Sequence, residues 1–238
     1  MGQGSVGDAG LQAIRIAVEL SNRLGLPQIE VVALESIAFT LVFRGDFDEA
    51  AQWLEQAIAA ARQAGARRYL AVDYLLMSAC RKAQGRVAEA RELISQALDL
   101  CTQIGMAFIG PSVLAAQASA STDTAERRRL LQEGEAMLSS EGLAHGRLMF
   151  YRDAIDVALA DRDWDRALRY ADGIEQVVVD EPLPFADLIG ARARALVALA
   201  RDGHEPSVVD ELIGMRERLR YAGMGALVPG IDAALAGS

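Results

Sequence analysis

Apolar residues return along this chain at intervals of three and four. Ala50, Leu54, Ala57, Ile58 and Ala61 form one such stripe, and Ala90, Leu93, Ile94, Ala97, Leu98 and Cys101 form another. That spacing belongs to a helix with one buried face, not to a strand, where apolar positions alternate. Each stripe runs into a glycine, the residue that most readily takes the left-handed conformation closing a helix. The closing positions are Gly25, Gly65, Gly105, Gly142 and Gly223, with Pro182 in the slot between the last two. Their successive spacings are 40, 40, 37, 40 and 41 residues. A period of that size marks a tandem array rather than a single globular pattern.

The blocks between the stops also align. Gly45-Asp46-Phe47-Asp48-Glu49-Ala50 is followed by Leu54, Ala57 and Gly65. Forty residues on stand Gly85-Arg86-Val87-Ala88-Glu89-Ala90, then Ile94, Ala97 and Gly105; forty residues back stand Gly10, Ile14, Ala17 and Gly25. A second helix fits between each stop and the next block, over Pro27–Arg44, Arg67–Gln84, Ala144–Asp161 and Pro184–Asp202. Small residues, Ala38, Ser78 and Ala115, fall in mid-helix, where they let a partner helix approach. Pro27, Pro182, Pro184, Pro206 and Pro229 fall at joints or first turns, and Pro111 falls in the first turn of its helix, so none breaks a helix middle.

The predicted fold is all-α. It is a superhelix (solenoid) of five hairpins, at about 27–65, 66–105, 106–142, 143–182 and 183–223, within a single repeat domain over 8–238. A lone helix precedes the hairpins (about 8–25) and another follows them (about 226–236), while residues 1–7 read as a flexible tail. No unit of this kind buries its own apolar face, so neighbours must stack.

The turn Gly45 to Ala50 resembles that of the tetratricopeptide repeat: an aromatic, an acidic pair, then an alanine facing the partner helix. Asp163-Trp164-Asp165-Arg166-Ala167 repeats it, while Asp123–Arg127 and Gly203–Val208 depart from it. Four further segments carry a narrower resemblance: Ile104–Pro111, Phe150–Ile155, Asp163–Asp172 and Glu181–Asp187. Together, over residues 45–200, they look like the C-terminal repeat region of bacterial class III adenylate/guanylate cyclase-like proteins. In that family a cyclase domain and an ATPase domain of the AAA/STAND type precede the repeats. The resemblance implies a protein-interaction and signal-transduction module, and the alternative is the sensor arm of a helix-turn-helix activator of the STAND type. Because the array opens on the second half of a hairpin, a fragment or stand-alone remnant of a longer regulator is expected. The open first helix also offers a second copy a surface for pairing as a homodimer.

Charge and composition narrow the function. Acidic residues outnumber basic ones by 33 to 24, giving a net charge of −9, so the basic footprint that nucleic acid requires is missing. The run Arg127-Arg128-Arg129 sits among Glu126, Glu133 and Glu135 and reads as a solvated helix face. Residues 100–122 are uncharged but hold Gly105, Gly110, Pro111, Gln117, Ser119 and Ser121, too polar for a membrane span. Met1 to Gly10 has no secretory pattern. Cys80 and Cys101 lie on helical stripes and read as reduced and structural. A cytoplasmic location is expected.

Catalytic chemistry finds no footing. Gly2-Gln3-Gly4-Ser5-Val6-Gly7 spells a dinucleotide motif, but no strand can precede residue 2. Val6 also breaks the myristoylation pattern, and Lys82 is not in a phosphate loop. His145 and His204 lack a second ligand at metal spacing, and no cysteine–histidine pair is in prospect. No enzyme activity, cofactor or metal is expected within the chain; cyclase or ATPase activity would belong to other domains.

What remains is binding to a protein, a peptide or neighbouring domains. By repeat register Val32, Glu35, Phe39, Val42, Phe43, Val72, Leu75, Ala79, Ile109, Ser112, Ala116, Met149, Arg152 and Asp156 line the inner side. That surface is mostly small and apolar, suited to a helix or to a neighbouring domain. The cluster Arg147, Tyr151, Arg152, Asp153 and Asp156 combines favoured interface residues with an Arg152–Asp156 i, i+4 pair. On this register, Phe39→Glu or Leu75→Glu weakens a partner without unfolding the array.

Overall fold

The structure is a computed structural model, and it describes residues 8–141, 144–179 and 183–237. Among these residues the only regular structure is helical, and the fold is an all-α, tetratricopeptide-like helical repeat. Two of the six predicted stops, Gly142 and Pro182, lie outside the described residues, as does the predicted tail over residues 1–7 with its glycine motif. The helices fall within the five predicted hairpins, plus one before and one after.

Contacts divide the chain into two compact units, the first reaching Ile109 and taking in Ala222–Ala226, the second comprising Gly110–Tyr221 and the residues from Leu227. The first unit holds α1 (Asp8–Leu24), α2 (Pro27–Arg44), α3 (Phe47–Gln63), α4 (Arg67–Ala83) and α5 (Val87–Ile104). Each helix packs on the next, and α2 also packs on α4. First helices therefore touch first helices across a repeat, as stacked hairpins require. The largest fully buried side chains here are Leu34, Ile37, Leu41, Leu54 and Leu76.

The turns show why the glycines recur. Gly45 has φ +85°; its N–H donates to the Val42 carbonyl at 3.2 Å, and the next amide, Asp46, reaches back to Leu41 at 3.0 Å. This pair of bonds satisfies two end carbonyls at once and demands a left-handed residue. The same pair recurs at Gly25–Leu26, Gly65–Ala66 and Gly85–Arg86. Gly105 differs: with φ 104° and ψ 127° it leads out of α5 into a turn over Met106–Ile109. The next helix starts at Gly110, which puts Pro111 in its first turn as the sequence predicts. Polar contacts keep the same period. Arg44 reaches Asp8 at 2.6 Å, and forty residues later Gln84 donates to Asp48 at 2.7 Å.

The second unit holds α6 (Gly110–Ala120), α7 (Thr124–Glu141), α8 (Ala144–Ala160), α9 (Trp164–Val177), α10 (Pro184–Asp202), α11 (Pro206–Tyr221) and α12 (Val228–Ala236). Phe150 of α8 is fully buried, edge-on to Tyr151 and Tyr170 with ring centroids at 5.4 and 5.9 Å. Glycine makes room for this aromatic layer. A Cβ at Gly134 on α7 would lie 2.6 Å from the Phe150 ring, and one at Gly173 on α9 would lie 2.7 Å from Tyr151. The irregular joint before α7 is capped by a side chain: Asp123 Oδ1 accepts the Ala125 amide at 2.8 Å, in place of a glycine turn.

The α8–α9 turn repeats the glycine turn without a glycine. Arg162 has φ 56°, its amide donates to Leu159 and the Asp163 amide to Ala158. A side chain costs about 1 kcal/mol in that conformation. Arg162→Gly is thus expected to raise stability by about 1 kcal/mol, seen as a higher midpoint in chemical denaturation with an unchanged slope. A midpoint at or below wild type would contradict it.

Candidate interaction surfaces

The two predicted patches fall in separate units. In the first, Val32, Glu35, Phe39 and Phe43 follow one another along α2 at helical spacing. Val32 is 41% exposed, Glu35 and Phe39 are half-buried, and Phe43 is buried against Phe39 with ring centroids 4.8 Å apart. The α4 members are different: Val72 and Leu75 are only 6% and 5% exposed. The whole run from Ala71 to Ser78 is buried, because α4 packs against α2, α3 and α5. Val72, Leu75 and Phe43 are therefore core residues, which corrects the expectation that they line an open groove and that Leu75→Glu leaves the array folded. Val42, Ile109, Ser112 and Met149, also placed on the inner side by register, are buried as well. The accessible remainder on α2 is Val32, Glu35 and Phe39.

In the second unit, Arg147, Tyr151, Arg152 and Asp156 of α8 are half-buried. Arg147 Nη2 donates to the Leu138 carbonyl at 2.9 Å. Tyr151 lies in the aromatic layer, where burial raises its hydroxyl pKa above the ordinary range. The Asp156 charge acts on Arg152, and each of the two has another bonded partner. Arg152 Nε bonds its neighbour Asp153 at 2.7 Å, and Asp156 accepts Arg192 Nη1 from α10 at 2.6 Å. Arg192 is 5% exposed and its Nε also donates to the Leu227 carbonyl at 3.1 Å. A guanidinium held that deeply requires a counterion, and Asp156 supplies it. The α8 cluster thus ties α8, α10 and the segment leading into α12 together.

One residue outside both predicted patches stands beside Glu35. Asp73 on α4 is fully buried, and neither of its carboxylate oxygens has a hydrogen-bond partner; Glu35 Oε2 is buried and unpartnered too. Burial and the Glu35 charge push the Asp73 carboxyl up to about 8, and burial pushes Glu35 up to about 7. Desolvation favours the neutral acids, and each further disfavours ionisation of the other. The signal was present in the sequence, where Asp73 is a lone charge within Leu70-Ala71-Val72-Asp73-Tyr74-Leu75-Leu76-Met77.

The remaining chemical candidates are muted. Cys80 and Cys101 are free and buried, and burial pushes their thiols up to about 12 and about 11, away from the reactive thiolate. His204 is exposed, and the His145 side chain lies outside the described residues. Among the described residues, no group of three or more His, Cys, Asp or Glu is placed to hold a metal ion, and no helix is long and apolar enough to cross a membrane.

Comparison with known proteins agrees with the geometry of the first unit. No curated protein matches the chain. Residues 29–103 match the family model described as tetratricopeptide repeat, a span running from the first turn of α2 almost to the end of α5. Residues 29–103 are therefore a tetratricopeptide-repeat region, set within a chain that is helical repeat in character.

Proposed function

We propose that this chain is a non-catalytic protein-interaction module of a cytoplasmic signalling system, working with a cyclase or ATPase of the AAA/STAND type. The observation that carries the reading is the tetratricopeptide-repeat region itself, whose α2 presents Val32, Glu35 and Phe39 in one accessible row. An apolar strip interrupted by one acid suits the apolar face of a partner helix with a polar group opposite Glu35. The segment resemblance over residues 45–200 supports the cyclase/ATPase context. Binding would act geometrically: a stacked scaffold holds one face rigid, and occupancy of that face biases whatever is attached. Phe39→Glu is expected to reduce capture of a co-expressed cyclase or ATPase encoded beside this chain by at least ~10-fold, the equivalent of ~1.4 kcal/mol, with helicity unchanged in circular dichroism. Equal capture by wild type and variant would remove α2 as the docking row, and turnover of ATP or GTP by the purified chain would overturn the non-catalytic reading.

A further inference from the structure

Two acids meet beneath the accessible row of α2, and among the described residues nothing bonds the oxygens they bury. Asp73 on α4 is 0% exposed, and both of its carboxylate oxygens lack a hydrogen-bond partner. Glu35 on α2 is half-buried. Its Oε2 is buried and equally unpartnered, while the rest of the residue keeps contact with water between Val32 and Phe39. Among the described residues, the influences on the two carboxyls are burial and the Glu35 charge, with no arginine or lysine among them. Folded proteins leave few buried polar groups unsatisfied, and an uncompensated pair of acids is costlier still because each charge opposes the other. Packing does not account for them, since apolar residues of similar volume would seal α2 against α4 at less cost.

We infer that Glu35, backed by Asp73, receives one basic side chain, an arginine or lysine on the apolar face of the partner helix that docks on Val32 and Phe39. The inference rests on the reading of α2 as the docking row. Charge decides the occupant. An apolar or acidic side chain set on Glu35 leaves a carboxylate unpaired in a half-dry position, whereas a guanidinium or ammonium pairs it and donates to it. Asp73 does not touch the partner. It lies deeper than Glu35, and in the low dielectric of the interior its charge adds to the attraction felt by a cation in front. Val32 and Phe39, once covered, exclude water from the pair. The net charge of −9 draws a basic partner before contact. A metal ion fits less well, because two carboxyls make an incomplete shell and, among the described residues, no group of three or more ligands is gathered.

The test offers the whole chain a displayed library of amphipathic helical peptides. Two fixed leucines flank one randomised position at the three- and four-residue spacing of Val32, Glu35 and Phe39, in buffer above the value of about 7 to which burial raises Glu35. Arginine and lysine are expected to be enriched at the randomised position. In a selected peptide, citrulline keeps the shape of arginine without its charge, and it should weaken binding at least ~10-fold in fluorescence anisotropy. Glu35→Gln should erase that preference and Asp73→Asn should reduce it, with the helicity of both variants checked by circular dichroism. Enrichment of apolar or acidic residues, or a preference unchanged in either variant, would overturn the inference and leave the docking row standing. Phe39→Glu tests the row by itself, and should lose every peptide whatever its central residue. Peptides held equally by Phe39→Glu, or none held by the wild type, would remove the row and the inference with it.

Discussion

Leu75→Glu is expected to abolish the cooperative unfolding transition of the first unit. Leu75 is 5% exposed, in a stretch of α4 buried from Ala71 to Ser78. Removing a buried leucine side chain costs about 2–5 kcal/mol. Placing a carboxylate there adds the desolvation penalty of a buried charge. Against a typical stability of about 5–15 kcal/mol, a loss of about 5 kcal/mol or more leaves the unit largely unfolded or molten. Leu75→Met, which conserves volume, should cost less than about 1.5 kcal/mol. Thermal melting followed by far-ultraviolet circular dichroism separates the two. A sharp wild-type-like transition in Leu75→Glu would show that α4 is less enclosed than its burial implies.

Asp73→Asn is expected to act in the opposite direction, and only at high pH. Both buried carboxyls have folded-state values raised above their usual range, to about 8 for Asp73 and about 7 for Glu35. The fold therefore favours the protonated pair. Its stabilising influence is complete below the ordinary carboxylate range near pH 4, and it fades as the pH rises through about 7 and then about 8. The wild-type first unit should thus be less stable at pH 9 than at pH 6. Asparagine keeps the shape of the protonated acid and supplies N–H donors toward Glu35. A tenfold change in proton affinity between the folded and unfolded chain corresponds to about 1.4 kcal/mol, and local relaxation absorbs part of the total, so the variant should gain about 3 kcal/mol at pH 9. It should gain little at pH 5. Denaturation midpoints across that range test it, and parallel pH profiles for the two proteins would count against an ionising Asp73.

Much of this architecture was legible before any coordinates. The stripe spacing, the forty-residue period and the placement of proline at joints give the helices within a residue or two: Pro27–Arg44 and Pro184–Asp202 match, and Arg67–Gln84 ends one residue early. These features are local. A left-handed turn requires glycine whatever surrounds it, and an amphipathic stripe announces one buried face. Local rules also failed locally. Arg162 occupies a turn that glycine serves elsewhere.

The candidate surfaces were less legible, because exposure is not a property of a single helix. Register put Val32, Glu35 and Phe39 on one row of α2, yet it could not say that the middle of α4, packed against three helices, is enclosed, so that Val72 and Leu75 become core. Spacing likewise offered Asp156 to Arg152, but it could not say that a buried Arg192 from α10 bonds Asp156 as well. Asp73 was visible as a misplaced charge, but its meaning depends on Glu35 standing opposite on another helix. The amino-acid order by itself determined the helices, their stops and their period, because hydrogen bonds within a helix and the conformational freedom of glycine act over a few residues. Tertiary structure alone decided which faces are sealed, which charges pair and which carboxyls keep their protons. Desolvation and ion pairing depend on which distant segments arrive, and contiguous residues carry no record of that.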